Sequence, residues 1–129
     1  MKKLELYGRH TTFDYNADKW GLIDTEDYFK NKKVVLFNSL SILDYENNIE
    51  DFKKQNIDEI YCLSLETSFP FPKDIKIILD STGSFTKRVS DIVGKQLVNY
   101  SMIINDGMIE KVFEEPSNSA DTVLLWLEK

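Results

Sequence analysis

The sequence predicts one α/β domain with a mixed central sheet and helices on both faces. Two continuous apolar runs, Val34-Val35-Leu36-Phe37 and Ile60-Tyr61-Cys62-Leu63-Ser64-Leu65, suit central strands covered on both sides. Stripes of apolar residues at helical spacing alternate with such runs. Asn105-Asp106-Gly107-Met108 lies between apolar strands, and Asp-Gly is a strong two-residue hairpin signal because a type I′ turn needs positive φ at both central residues. The chain has 129 residues, a length that suits a single domain spanning 1–129.

The elements follow in order. A β segment is expected near Leu4–Tyr7, with weaker extended pieces at Thr12–Tyr15 and Trp20–Ile23. Asp24 can cap a short helix that runs through Lys30. After the Val34–Phe37 strand, residues 45–55 put Tyr45, Ile49 and Phe52 on one helical stripe. Ile60–Leu65 and Ile75–Leu79 are the next strands. After Asp80-Ser81-Thr82-Gly83, a helix carries Phe85, Val89, Ile92 and Val93 on one face. Tyr100–Ile104 and Met108–Phe113 form the hairpin, and Ala120, Val123, Leu124 and Leu127 mark the last helix. A β-α-β unit in one sheet is parallel and right-handed, whereas a two-residue hairpin is antiparallel, so the sheet is mixed. A β-α-β half followed by a β-β-α half is a thioredoxin-like layout, here preceded by an N-terminal β extension.

Composition narrows the functional classes. The net charge is −6, and Lys32-Lys33 and Lys53-Lys54 are only pairs, so no long basic run offers itself to nucleic acid or an anionic membrane. No stretch approaches the roughly 20 apolar residues of a membrane helix, and the start, Met-Lys-Lys-Leu-Glu-Leu, leads into no signal-peptide apolar run. One cysteine rules out an intrachain disulfide framework, which fits a reducing compartment. A cytoplasmic location is the expectation. Without a secretion signal, the glycosylation pattern Asn99-Tyr100-Ser101 carries no weight.

Several segments resemble one family. Trp20 through Phe37 is similar to the lead-in to the active site of type-5 (hybrid) peroxiredoxins. Ile57-Asp-Glu-Ile-Tyr-Cys-Leu-Ser-Leu65 resembles the strand after their first long helix, and Leu79-Asp-Ser-Thr-Gly-Ser-Phe-Thr-Lys87 their next strand-to-helix turn. Tyr100 through Lys111 resembles their closing hairpin, and Glu115-Pro116 with Ser119–Leu124 the entry to their last helix. The resemblance covers most of the chain from residue 20 onward, and the fold it implies agrees with the layout above.

The departures bear on activity. In the family, the strand matching Val34–Phe37 leads into Pro-x-x-x-Thr-x-x-Cys, whose thiolate attacks peroxide. Here it leads into Asn38, Ser39, Leu40, Ser41, Ile42, Leu43 and Asp44, with no proline, threonine or cysteine. The family's thiol-activating arginine, just before the Tyr-Ser-Met strand, falls about at Gln96 or Lys95; Gln96 is uncharged and Lys95 is a point charge without a guanidinium fork. The loop Glu66–Lys73 and the Gly94–Asn99 link are also short. All the trimmed segments surround one face, the one that would hold the peroxide pocket.

Other candidates are weaker. Cys62 lies mid-strand in an apolar run, where burial hides a thiol and raises its pKa. His10 is the sole histidine and has no partner set for a metal or a catalytic triad. Asp44, Glu46, Glu50 and Asp51 fail the EF-hand pattern and suit a solvated helix start. Thr82-Gly83-Ser84 reads as a turn and cap, since no phosphate-binding glycine pattern surrounds it. The loop Phe69, Pro70, Phe71, Pro72 is an apolar contact candidate, covering the vacated pocket or meeting a second subunit.

The leading expectation is a peroxiredoxin-like module without thiol peroxidase activity, acting in binding or structure. It needs no cofactor and no metal, and its partners are a second copy in a homodimer or another protein. The alternative is an antioxidant thiol-dependent peroxide reductase using Cys62 or a partner's cysteine. A small-ligand site rebuilt around Ser39, Asp44 and Gln96 is a third reading.

Overall fold

The computed structural model describes residues 2–3, 10–14, 19–23, 29–38, 42–64, 74–80 and 83–129. Its strands are β1 (Lys2–Lys3), β2 (His10–Asp14), β3 (Lys19–Ile23), β4 (Lys33–Asn38), β5 (Glu59–Ser64), β6 (Lys76–Leu79), β7 (Tyr100–Asn105) and β8 (Met108–Glu114). Its helices are α1 (Ile42–Glu46), α2 (Ile49–Lys54), α3 (Ser84–Val93) and α4 (Ala120–Leu127). The strands form one sheet in the order β1-β8-β7-β4-β5-β6-β2-β3. β4, β5 and β6 run parallel, while β7 is antiparallel to β4 and to β8, and β2 is antiparallel to β6. The expected mixed sheet and thioredoxin-like layout are therefore present, and the N-terminal β extension supplies strands at both sheet edges.

Alternation along the central strands sorts the core into two layers. Val34 and Leu36 of β4 join Tyr61, Leu63, Ile78, Tyr100 and Met102 under α3, whose Phe85 and Val89 are buried. Val35 and Phe37 join Cys62, Ile77 and Ile103 under α1, α2 and α4, through Tyr45, Phe52, Val123 and Leu124. Both faces are covered, which explains why the strands read as unbroken apolar runs.

Asp106 and Gly107 take φ of 52° and 78°, the left-handed pair that the hairpin signal requires. Ile103 pairs with Lys111 but Ile104 with Ile109, so Glu110 is an extra residue and β8 is bulged.

Some boundaries differ from expectation. The helix expected over 45–55 starts at Ile42 and divides into α1 and α2 at Asn47-Asn48. The Asn48 side-chain amide donates to the Asp44 carbonyl at 2.7 Å, a local bond that competes with continuous helix. Tyr45, Ile49 and Phe52 still face the same core. Ile75 precedes β6 rather than opening it, but is buried. The segment Leu4–Tyr7, residues 24–28 of the first expected helix, Tyr15 and Leu65 lie outside the described residues. Among the described residues, no helix is long and apolar enough to cross a membrane.

Candidate functional site

The carboxyl end of β4 is the place where the sequence directs attention. Asn38 closes that strand, and its side-chain oxygen accepts the Tyr100 N–H at 2.6 Å, tying the end of β4 to the start of β7. Ser39, Leu40 and Ser41 lie outside the described residues, as do Phe69, Pro70, Phe71 and Pro72. The chain becomes helical again at Ile42, and α1 brings Tyr45 back over the sheet.

Tyr45 is fully buried. Its ring stacks on Phe37, with centroids 4.1 Å apart and planes within 2°, and on Phe52 at 5.5 Å and 9°. Its hydroxyl is shared between Ser101 Oγ at 2.7 Å and the Asn118 carbonyl at 2.9 Å, and the Ser101 hydroxyl donates to that same carbonyl at 2.9 Å. Burial raises the phenol well above its ordinary range, opposed by the Ser101 bond and reinforced by the Asp44 carboxylate. This tyrosine is a neutral donor at any physiological pH.

The neighbours extend the network. Asp44 Oδ2 accepts the Ala120 N–H at 2.8 Å, so a carboxylate from α1 caps α4 alongside Ser119, whose Oγ accepts the Thr122 N–H. The Asn118 amide donates to Asn99 Oδ1 at 3.2 Å, and the Asn99 amide donates to Glu115 Oε2 at 2.8 Å. Asn99 is the residue directly before β7. Gln96 and Lys95 stand elsewhere, exposed on an open groove of about 630 Å³ along α3, with Lys95 ion-paired to Glu114. The structure thus gathers Asn38, Asp44, Tyr45, Asn99, Ser101 and Asn118 at one pole and leaves Gln96 apart from the Tyr45 network. Tyr45 reads as core in the sequence because its ring is core; nothing in the pattern announces that its hydroxyl meets Ser101 and Asn118.

Cys62 lies mid-strand in β5, paired with Phe37 on one side and Ile77 on the other, and fully buried. Burial pushes its thiol up to about 12. Native protein at pH 8 should therefore react with a thiol-specific disulfide reagent at least about 100-fold more slowly than the same protein in denaturant; comparable rates would show an accessible thiolate. The same shift has a stability consequence. The folded state holds this proton more tightly than the unfolded chain, so the contribution is complete below pH ~9 and lost as pH rises toward 12. Alkaline unfolding should be shallower in Cys62→Ala, read from urea midpoints between about pH 8.5 and pH 10.5.

The remaining candidates resolve simply. His10 is in β2, opposite Ile23. Among the described residues, no group of three or more His, Cys, Asp or Glu side chains could hold a metal. Glu46, Glu50 and Asp51 are exposed, and Asp44 turns away to Ala120, so these acids do not converge. Gly83, at φ 75°, precedes α3, but the Phe85 and Thr86 N–H groups donate to Asp80 at 2.9 and 3.1 Å. That helix start is already occupied by the chain's own carboxylate. In the glycosylation pattern, Ser101 is buried and the Asn99 amide is engaged by Glu115.

No family model matches the chain. A peroxiredoxin from Rhizobium etli is 32% identical over 125 residues, spanning 78% of this chain and 70% of that protein. The hybrid peroxiredoxin hyPrx5 of Haemophilus influenzae is 30% identical over 144 residues, spanning 86% of this chain and 60% of that protein. The crystal structure of reduced Prx3 from Vibrio vulnificus matches with a TM-score of 0.78 at 21% identity, covering 100% of this chain and 99% of that one. The chain belongs to the peroxiredoxin family. It is a member whose sole cysteine lies in β5, with none in the segment that follows β4.

Proposed function

We propose that this chain is a peroxiredoxin-fold domain that does not reduce peroxides and serves as a binding or structural module, working in the cytoplasm as a homodimer or with a protein partner. The carrying observation is the end of β4. There Tyr45 is stacked on Phe37 and Phe52, with its hydroxyl engaged by Ser101 and Asn118, on the face where the family resemblance would set a peroxide pocket. A peroxidase needs a thiolate that peroxide can reach, and the one thiol here is buried and held protonated. The described side chains at this pole are neutral amides, hydroxyls and the carboxylates of Asp44 and Glu115, each already hydrogen-bonded within the chain. That set suits holding α1, β7 and α4 together more than it suits a redox step.

The test is peroxide consumption with dithiothreitol or a thioredoxin system as reductant, run on the parent chain and on Cys62→Ala. The expected result is no turnover above buffer for either. Turnover that Cys62→Ala abolishes would overturn the proposal in favour of a Cys62-dependent peroxide reductase.

A further inference from the structure

The outer side of β8 carries a second feature, away from the Tyr45 pole. β1 pairs only with Met108 and Ile109, and among the described residues no strand lies against the outer edge of Lys111–Glu114. Beside that edge, between β8 and α4, is an open groove of about 430 Å³. Phe113 and Trp126 meet edge to face there at 6.2 Å and 85°, and Leu125 is 62% exposed at its side. Lys111 shares the Phe113 side of β8, its ammonium 6.0 Å from the Phe113 ring centroid. It is exposed and in no ion pair among the described residues, on a chain whose net charge is −6.

Each part selects a property of a partner. An unpaired strand edge accepts an extended backbone through main-chain hydrogen bonds. The groove accepts an apolar or aromatic side chain against Trp126 and Leu125. Lys111, two residues from Phe113 on the same face, accepts a carboxylate as a cross-strand pair. We propose that the Lys111–Glu114 edge docks an extended segment of a partner protein that carries an apolar side chain and, two positions away, an acidic one. The added strand would continue the sheet along the edge that β1 already uses. The proposal rests on the binding-module reading and gives that partner its chemistry. Its test does not depend on peroxide turnover, so either can fail alone.

The probe is a fluorescein-labelled octapeptide alternating glutamate and phenylalanine at spacing two on one face and threonine on the other, with a lysine-for-glutamate peptide as its counterpart. Fluorescence anisotropy should show saturable, salt-weakened binding of the acidic peptide and at least about tenfold weaker binding of the basic one. Leu125→Glu and Lys111→Glu alter exposed positions, so the fold does not depend on them. Leu125→Glu should weaken the acidic peptide about tenfold or more, and Lys111→Glu should invert the preference toward the basic peptide. No binding, or equal binding of both peptides, overturns the proposal. So does a dimer that Leu125→Glu dissociates in light scattering, which would give this edge to a second copy of the chain.

Discussion

Tyr45→Ala is expected to lose about 3–5 kcal/mol of stability, the range for truncating a large buried aromatic. The substitution removes a ring stacked on both Phe37 and Phe52, and it removes the donor that Ser101 and Asn118 share. Tyr45→Phe separates these contributions. It keeps the stacking, and Ser101 still donates to the Asn118 carbonyl, so the loss should be about 1–2 kcal/mol. Urea denaturation of the three proteins measures both values. A loss below about 1 kcal/mol for Tyr45→Ala would mean that this ring does not close the pole.

Asp80→Ala carries the next largest effect, about 2–3 kcal/mol, because hydrogen bonds to a charged group contribute more than neutral ones. Asp80 is 2% exposed, and its two carboxylate oxygens accept the N–H groups of the second and third residues of α3. Without it, the Phe85 and Thr86 amides lose those acceptors beside a packed core. Asp80→Asn keeps one acceptor oxygen and should fall between the two. Thermal melts give the magnitude, and hydrogen exchange at Phe85 and Thr86 locates it; faster exchange spread evenly over the chain would argue against a local capping role.

Most of the fold was legible because its signals are local. Val34–Phe37 and Ile60–Leu63 are apolar on both faces, and only a covered central strand tolerates that. Asp106-Gly107 fixes its hairpin through two φ values. The break between α1 and α2 was not legible, since Tyr45, Ile49 and Phe52 keep helical spacing across it and the cause is one amide-to-carbonyl bond from Asn48 to Asp44. The site was legible in what it lacks, a thiol after Phe37. What replaces it was not. Tyr45, Asn118 and Ala120 lie far apart in sequence, and no local pattern records that Asp44 caps a helix beginning 76 residues later. Asp80 lies just before Thr82-Gly83-Ser84, which reads as a turn and cap, and nothing in that pattern points back to Asp80 as the acceptor.

The bonds from Asp44 to Ala120 and from Tyr45 to Asn118 also set an order of events. They join positions 76 and 73 residues apart. A chain growing from its amino end presents α1 long before its acceptors and donors exist. Until Asn118 and Ala120 emerge, the Tyr45 hydroxyl can find only Ser101 of its two partners and α1 has no helix end to cap. Long-range closure of this kind comes late in folding because the intervening chain must first be ordered. The pole at the end of β4 therefore stays unsealed until Asn118 and Ala120 have been made, and a ribosome stalled before residue 118 would hold a chain with that pole still open to solvent and chaperones.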